Sequence, residues 1–426
     1  MAPVRNLTFV ILAAAVSSAC SRPSPSMDTI AEQYVRLTLA VGQHDADYVD
    51  AYYGPSEWKP GEAKSSLDDL AQRVAALQKR LGPAPASADE MERLRHQYLT
   101  KQISSMAARL RMLKGEQLTF DSEARALYDV TVPSLPESHF QSVLEELDKR
   151  FPGEGPLVDR YEAYRLGFVI PKGRLDTVFT TAIGACRERT ARHIGLPPGE
   201  SFTVEYVTGK SWSGYNWYQG GFKSLIQVNT DLPIYIDRAV DLACHEGYPG
   251  HHVYNALLEK HLVKDRGWKE FTVYPLFSSQ SLIAEGTANY GIAVAFPGDE
   301  RLAYEEQVLF PAAGLDPAGA RGYYEVQALV EKLSYAGNEA ARRYINKEID
   351  AAQTAAWLEK YALMPRARAE QRVRFFDQYR SYVINYNLGK DMVRDYIETR
   401  AQGDAKKRWE EFERLLSSPR LPSGLE

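Results

Sequence analysis

The sequence predicts a large, mainly α-helical protein with one small antiparallel β-sheet. Apolar residues recur at helical spacing over most of the 426 residues, which favours helices. The pattern changes to strand-like alternation only between residues 202 and 229, where Gly220-Gly221 predicts a turn between two strands. A segment holding three of the eight histidines follows, so the sheet is expected next to a histidine-bearing helix.

The first 19 residues predict a signal peptide. Arg5 precedes an apolar run, Leu7 to Val16, that is too short to span a membrane, and small residues then lead to Cys20. This ending resembles the lipobox of a bacterial lipoprotein, in which Cys20 becomes lipidated, while Ser17-x-Ala19 suits ordinary signal peptidase. The mature protein is therefore expected outside the cytoplasm of a bacterium, either free in the periplasm or anchored to the inner or outer membrane through Cys20.

Residues 20–26 are predicted to be a tether before the folded chain. An N-terminal helical region is expected over 27–150, with helices at 27–41, 66–82, 88–114, 120–130 and 137–150. A Pro/Gly-rich break at 151–156 predicts the boundary with a second region, 151–426.

The second region begins with a predicted helix at 173–194. Strands are expected at 202–207, 215–218 and 224–229. Helical periodicity resumes from 236 to 263, with an interruption at Pro249-Gly250, and is almost continuous from 320 to 417.

Charge and cysteine content exclude two classes of protein. A net charge of −5 provides no basic surface for nucleic acid. Apart from Cys20 only Cys186 and Cys244 remain, which make at most one disulfide, so a disulfide scaffold is excluded. Cys244 adjoins His245 and is a candidate metal ligand, but adjacent helical residues point about 100° apart. A buried thiol is the prediction.

The segment His245-Glu246-Gly247-Tyr248-Pro249-Gly250-His251-His252 has the composition of a metal site with a base. In the HExxH arrangement two histidines four residues apart share a helical face, and the adjacent glutamate activates a water. On a straight helix, however, His251 would point about 120° away from His245, and His252 would lie about 10 Å further along.

Pro249-Gly250 is predicted to break the helix, because proline removes a helical hydrogen bond and glycine accepts unusual dihedrals. Two residues looped out would pair His245 with His251, and three would pair it with His252. The first needs the smaller distortion and is favoured, which leaves His252 to support the site or face substrate.

A third ligand is expected, since catalytic zinc typically takes three from the protein. Glu285 is the best candidate, because it lies amid apolar and small residues in the helical segment Ser281 to Tyr290. The alternative is a buried glutamate paired with an arginine.

Two motifs, HEGYPGHH at 245–252 and EGTANY at 285–290, resemble the bacterial family known as domain of unknown function 885, whose members carry HE-x-x-PGHH and EGW-A-x-Y. Tyr386-x-x-Gly389 is similar to that family's C-terminal Tyr-x-x-Gly. Thr287 replaces the usual tryptophan, and residues 382–385 replace an expected Pro-Gly-Gln run.

That family is grouped with the thermolysin-like, gluzincin-type zinc peptidases. The resemblance therefore implies a thermolysin-like core with a zinc-binding helix. It also implies that His245, His251 and Glu285 bind zinc and that Glu246 is the general base.

Elementary chemistry agrees with these roles. Zinc lowers the pKa of a water to about 7, and Glu246 could take its proton and pass it to the leaving amine. A donor for the oxyanion is also needed. Tyr386 is predicted, with Tyr290 and His252 as rivals.

Other residues have two interpretations each. The strand 224–229 is either a core strand or an edge that pairs with an extended peptide, as in thermolysin-like enzymes. The aromatic residues around it either line a pocket or stabilise a hairpin: Trp212, Tyr215, Trp217 and Tyr218. The stretch His44 to Asp47 is interpreted as a helix cap rather than a cation site.

The sequence as a whole predicts an exported zinc-dependent metallopeptidase with a peptide substrate. Contact with a membrane is expected only through the lipid on Cys20, and the oligomeric state is open. The alternatives are a noncatalytic lipoprotein or binding module that retains the fold, and a zinc hydrolase of another amide or ester.

Overall fold

The computed structural model describes residues 26–84 and 89–425. These residues are mainly helical with two small sheets, which confirms the mainly α prediction. The signal peptide predicted for 1–19, Cys20 and the tether up to residue 25 lie outside the described residues. No helix in the described part of the chain is both long enough and apolar enough to cross a membrane.

Seven helices precede the larger sheet in the described chain. They are α1 Met27–Gly42, α2 Leu67–Leu81, α3 Glu90–Leu113, α4 Phe120–Tyr128, α5 Glu137–Arg150, α6 Leu157–Arg165 and α7 Leu175–Ala191. Side-chain caps explain several starts: Ser66 accepts from the backbone NH of Asp69, and Asp89 forms a capping box with Glu92. All helices predicted for this half are present within a few residues of the expected bounds.

The remaining described helices follow the sheet. They are α8 Asp237–Leu242, α9 His251–Leu258, α10 Ser279–Ala295, α11 Glu300–Tyr304, α12 Phe310–Ala313, α13 Ala320–Glu331, α14 Ala336–Ile345, α15 Ala351–Tyr361, α16 Arg366–Tyr379, α17 Ile384–Ala401 and α18 Ala405–Leu416. The last six account for the nearly continuous helical pattern from 320 to 417.

The larger sheet is mixed, which corrects the antiparallel prediction. Its strands are β2 Ser201–Val207, β3 Gly214–Gly220 and β4 Lys223–Asn229, in the order β2-β4-β3. The chain reverses twice, so the first and last strands run in the same direction, and β4 lies between the other two. Alternation in the sequence predicts strands but does not say which strands pair.

A second sheet was not predicted. Strand β1 Val49–Tyr52 pairs antiparallel with β5 Val273–Pro275, which joins the N-terminal region to the segment before α10. Both strands are too short for a clear alternating pattern.

One hydrophobic core runs through both predicted regions. It contains Tyr34 of α1 and Leu99 of α3 together with Val253 of α9 and Leu282 of α10. A smaller cluster lies around Phe140 and residues of α13 and α15. The division of the chain at 151 stays a prediction, and the N-terminal helices α3 and α4 pack against α10, the helix that carries Glu285.

The helices α10 and α17 cross at two glycines. A Cβ on Gly286 would lie 2.4 Å from the carbonyl oxygen of Gly389, and one on Gly389 would lie 2.8 Å from that of Leu282. Only glycine permits backbones to approach this closely. This contact explains the glycine of Glu285-Gly286 and that of Tyr386-x-x-Gly389, and it brings α17 against the helix that carries Glu285.

Candidate metal centre

The helix carrying His245 is broken before His251, as predicted. After α8 the residues Ala243–Gly247 form a turn of π-helix, and Tyr248 is extended, with a cis peptide bond to Pro249. The backbone NH of Gly250 donates to the carbonyl of Cys244 at 2.9 Å. A Cβ on Gly250 would lie 1.9 Å from the carbonyl oxygen of His245, so glycine is required there.

The loop brings His245 and His251 together, and Glu285 of α10 completes the group. Nε2 of His245 lies 3.1 Å from Nε2 of His251, and Oε2 of Glu285 lies 3.2 Å and 3.6 Å from the same two nitrogens. This is the single group of three or more metal-ligating side chains found in residues 26–84 and 89–425.

The spacing of these three atoms suits a tetrahedral ion. Ligand atoms bound to zinc at about 2.0–2.1 Å in tetrahedral geometry lie about 3.3–3.4 Å from one another. Oε2 of Glu285 is also buried and accepts no hydrogen bond from the described protein, although it lies within ion-pair distance of both imidazoles. Buried carboxylate oxygens are rarely left without a donor, so a cation between the three atoms would resolve the arrangement.

Two further contacts orient the ligands. The hydroxyl of Tyr382 donates to Oε1 of Glu285 at 2.8 Å, which leaves Oε2 to face the imidazoles. Nδ1 of His245 donates to Oδ1 of Asn289 at 3.0 Å, while Nδ2 of Asn289 donates to the carbonyl of Tyr386 at 3.0 Å. Such contacts fix the tautomer that leaves Nε2 free to bind a metal.

The charge of Glu285 is well accommodated in this setting. Burial alone would raise its pKa, but the charge of His251, and then the close approach of both imidazoles to its carboxylate, hold the pKa well below the usual value of a glutamate. The arginine-paired alternative is not observed, because the described structure contains no arginine within 4.0 Å of Glu285.

Glu246 lies beside the group and is not part of it. Its side chain is buried, and no described residue forms a hydrogen bond or ion pair with its carboxylate. Burial raises the pKa of Glu246 to about 7, with a lowering effect from His251 and a raising effect from Glu285. Its backbone is held by Asn216 of β3, whose Nδ2 donates to the Glu246 carbonyl at 2.7 Å.

The three candidate oxyanion donors are placed differently. Tyr386 is partly accessible, its ring lies 5.9 Å from that of Tyr382, and burial raises its pKa well above 10, so its hydroxyl stays protonated. Tyr290 points away, since its hydroxyl donates to Glu398 of α17. His252 is completely buried.

His252 was predicted either to support the site or to face substrate, and its completely buried side chain contacts the sheet and Glu200 rather than the three ligands. Its Nε2 donates to Glu200 at 3.0 Å, and its Nδ1 lies 2.9 Å from the hydroxyl of Ser224 on β4. Tyr248 and Arg187 bind the same glutamate. His252 therefore belongs to a buried polar network that ties the histidine loop to the sheet.

Asp50 of β1 is a neighbour of the site that sequence reasoning missed. It accepts a hydrogen bond from the Tyr215 hydroxyl, and the charges of His251 and Glu285 affect its ionisation. Burial raises the pKa of Asp50 to about 6. It comes from a region almost two hundred residues earlier in the chain, and no local pattern marks it.

Strand 224–229 and the aromatic residues beside it each had two predicted roles, and their positions in the sheet bear on both. The strand 224–229 is β4, the central strand, so it is not the predicted edge, and β3 is the edge nearest Glu246. On β3 the ring centres of Tyr215 and Trp217 lie 4.5 Å apart with the rings tilted by 31°, and Nε1 of Trp217 donates to Gln227 across the hairpin at 3.1 Å. These contacts favour the hairpin-stabilising role.

The prediction of a free buried thiol at Cys244 is corrected. Cys244 forms a disulfide with Cys186 of α7, and the two Cα atoms lie 5.6 Å apart. The sequence left this pairing open but favoured the thiol.

In the stretch 44–47, Nε2 of His44 lies 2.8 Å from the carbonyl of Ser65, and Asp45 pairs with Arg109 at 2.6 Å, so these groups are already partnered.

Comparison with known proteins identifies no family. No protein-family model and no curated protein matches the chain. Among solved structures, one from Colwellia psychrerythraea, provisionally described as a lipoprotein, has 15% identity and a TM-score of 0.49, covering 87% of this chain and 69% of that one. Another comes from Shewanella oneidensis and is provisionally described as a lipoprotein of unknown function. It has 14% identity and a TM-score of 0.46, and the match covers 84% of this chain and 72% of that one.

The assignment to the domain of unknown function 885 family is therefore wrong, because no family model matches any part of the chain. Membership of the thermolysin-like, gluzincin-type peptidases was implied only by that assignment, so it is wrong as well. A thermolysin-like core is not shown. Two short motifs carried the resemblance, and short motifs can recur without common ancestry. Both neighbours are provisionally described as lipoproteins, and neither description mentions an activity.

Proposed function

We propose that this protein is an exported zinc-dependent hydrolase that cleaves peptide bonds. The observation that carries the proposal is the convergence of Nε2 of His245, Nε2 of His251 and Oε2 of Glu285 at distances of 3.1, 3.2 and 3.6 Å. Two imidazoles and one carboxylate are a usual ligand set of catalytic zinc, which keeps a fourth position for water or substrate. Structural zinc is usually closed by four protein ligands.

When bound, zinc would polarise the scissile carbonyl and lower the pKa of water to about 7. The carboxylate of Glu246 then takes one proton from the attacking water as the oxygen–carbon bond forms. It passes that proton to the amine nitrogen as the carbon–nitrogen bond breaks. The products are a carboxylic acid and an amine, and Glu246 is regenerated.

Two features of the chain suit this role for Glu246. Its carboxylate has no partner among the described residues, so it is free to exchange a proton. A Cβ on Gly214 of β3 would lie 2.8 Å from Oε1 of Glu246, so the strand passes directly beside the base. The hydroxyl of Tyr386 is protonated and is the candidate donor to the developing oxyanion.

Export is part of the proposal. The N-terminal pattern around Cys20 is that of an exported precursor, and Cys186 and Cys244 form a disulfide, which is typical of oxidising compartments. Both a lipid-anchored and a released form are compatible with that pattern.

The alternative is a noncatalytic lipoprotein or binding module that holds a metal. Nothing in the comparisons points to hydrolysis, and this alternative uses the same three ligands. It offers no role for an unpartnered, buried Glu246 next to a ligand. A zinc hydrolase of another amide or an ester would use the same residues with a different substrate.

The test combines metal analysis with hydrolysis. Protein grown with zinc should contain one zinc per chain by inductively coupled plasma mass spectrometry, and His251→Gln should lose it. The control is His139→Gln, since His139 is exposed and lies outside the cluster. Glu246→Gln should retain zinc and lose peptide hydrolysis by at least about a hundredfold.

Each outcome separates the hypotheses. Wild-type protein without zinc would overturn the metal site. Zinc with no cleavage of a peptide library, or with cleavage that Glu246→Gln leaves unchanged, would overturn the peptidase and favour the binding module. Cleavage of esters or other amides alone would identify the third candidate.

A further inference from the structure

Two arginines near the metal centre lack the carboxylate partners that other enclosed arginines in this protein have. In the described structure Arg95 pairs with Glu270 at 2.5 Å, Arg342 with Glu339 at 2.5 Å and Arg109 with Asp45 at 2.6 Å. Arg368 and Arg372 of α16 form no ion pair with any described residue. They lie four residues apart and therefore share one face of the helix.

Arg368 faces the strand beside the general base. Its Nη2 lies 3.4 Å from the hydroxyl of Ser213, which directly precedes β3. The next residue, Gly214, is the one that passes next to the carboxylate of Glu246. Arg368 therefore contacts Ser213, the residue directly before the strand position that lies beside Glu246.

Arg372 lies beside Tyr386, the candidate oxyanion donor. Its guanidinium carbon lies 5.9 Å from the ring centre of Tyr386 and 4.6 Å from that of Phe375. Its Nε is buried and has no hydrogen-bond partner in the described protein. The aromatic contacts are attractive for a cation, but they leave the in-plane donors of the guanidinium unused.

Several positively charged arginines lie close to Arg368, and their charges repel its own. Burial, together with the nearby charges of Arg238, Arg372 and Arg165, lowers the pKa of Arg368 to about 10. Arg238 and Arg165 have their own carboxylates, Asp241 at 3.2 Å and Glu162 at 3.6 Å, whereas the two arginines of α16 have none. A cationic pair that is largely removed from water and uncompensated is costly unless an anion binds it.

We propose that Arg368 and Arg372 bind a carboxylate of the substrate next to the scissile bond. This inference rests on the proposed hydrolase and names its substrate class as peptides that carry a carboxylate there. The carboxylate is either the free C-terminus, which would make the enzyme a carboxypeptidase, or an acidic side chain. Arginine suits both, because its planar donors match a carboxylate in a two-pronged contact.

The test measures binding separately from turnover, using zinc-loaded Glu246→Gln protein. The first pair of probes is N-acetyl-Ala-Ala-Ala with a free carboxylate and the same peptide as its amide. The second is N-acetyl-Ala-Glu-Ala-amide and its Gln counterpart. One carboxylate probe should bind at least about tenfold more tightly than its neutral match by isothermal titration, and which pair shows the preference identifies the source.

Substitution then assigns the preference to the two arginines. Arg368→Gln and Arg372→Gln should each reduce it by about tenfold or more while leaving the neutral probe unaffected. Arg368→Lys should keep part of the preference for the carboxylate probe, since lysine retains the positive charge but lacks the planar pair of donors of a guanidinium group. Arg374→Gln is the control, because Arg374 is exposed on the same helix.

Equal binding of charged and neutral probes, or no binding of either, would overturn the proposal. An equal weakening of both probes by the arginine variants would assign these residues a structural role and also overturn it. A carboxylate preference in a protein that cleaves no peptide would overturn the hydrolase alone. Hydrolysis without a carboxylate preference would overturn only the inference.

Discussion

Gly286 and Gly389 bring two helices of the metal centre into backbone contact. A methyl group on Gly286 would lie 2.4 Å from the carbonyl oxygen of Gly389, a distance that neither helix can accommodate without moving. The helix α10 carries Glu285 and Asn289, and α17 carries Tyr386, so this contact sets their separation.

Gly286→Ala is expected to destabilise the protein by about 1–3 kcal/mol, because overpacking forces a backbone shift. It should also weaken zinc binding, since Glu285 moves with α10. The control is Gly184→Ala in α7, where a Cβ meets nothing within 4 Å. Urea unfolding and zinc titration check the result, and equal stability of both variants would contradict it.

Gly250→Ala is expected to be more damaging to the metal centre. The added Cβ would lie 1.9 Å from the carbonyl oxygen of His245, so the loop that pairs His245 with His251 cannot close. Gly247→Ala is the matched variant, because its Cβ would meet only the ring of Phe202 at 3.0 Å, and a side chain can move. Zinc should be lost from the first and retained by the second, and retention by both would refute the role of Gly250.

Asn289→Ala should weaken zinc binding by about tenfold to a hundredfold, because His245 loses the acceptor that orients its ring. Asn289→Asp keeps an acceptor and should retain affinity within a few-fold of wild type. Competition with a zinc-binding dye measures both. Equal affinities of the alanine and wild-type proteins would show that the ring is held by packing alone.

Glu200 predicts an acid-sensitive contribution to stability. Burial would raise its pKa, but hydrogen bonds from His252, Tyr248 and Arg187 hold the pKa at about 2, below the ordinary value of 4.5. The folded state thus binds fewer protons, so the stabilisation is present above pH 4.5 and is lost as the pH falls towards 2.

Urea unfolding at pH 7 and pH 3 tests this contribution. The stability lost between the two should be smaller in Glu200→Gln than in wild type, because the variant has no carboxylate to protonate at this position. Glu188→Gln is the control, since Glu188 is exposed on the surface. Equal losses in all three proteins would show that Glu200 is not the group responsible.

The disulfide predicts sensitivity to reduction. Cys186 and Cys244 are 58 residues apart, and closing a loop of that size stabilises a protein by about 2–4 kcal/mol. Dithiothreitol should lower the urea midpoint of wild type and leave Cys186→Ala/Cys244→Ala unchanged. A wild-type midpoint that does not respond to the reductant would mean that the two sulfurs are not bonded in solution.

Local patterns predicted the helices well, because their signals lie in neighbouring residues. Ser66 and Asp89 cap the helices that follow them, and Pro249-Gly250 breaks the helix where the ligand spacing demands it. The pairing of His245 with His251 followed from the size of that distortion. These inferences needed no knowledge of the rest of the chain.

Features that depend on distant contacts could not be predicted. The parallel pairing of β2 with β4, the disulfide and the approach of Asp50 each join segments whose proximity no local pattern encodes. Asn289 was within reach, since it lies one helical turn beyond Glu285 on the same face. The family assignment is wrong because the resemblance is confined to short motifs, and short motifs can recur in unrelated chains.

The loop between His245 and His251 has a consequence for how such sites are recognised. In a straight helix, ligand separation in sequence is tied to helical pitch, so adding one residue rotates a ligand by about 100°. Here the irregular backbone from Gly247 to Gly250 sets the distance, and the two histidines lie on separate helices. The loop, and not the helical pitch, therefore sets the separation of the two histidines in sequence, so a search for the four-residue spacing of HExxH would pass over this site.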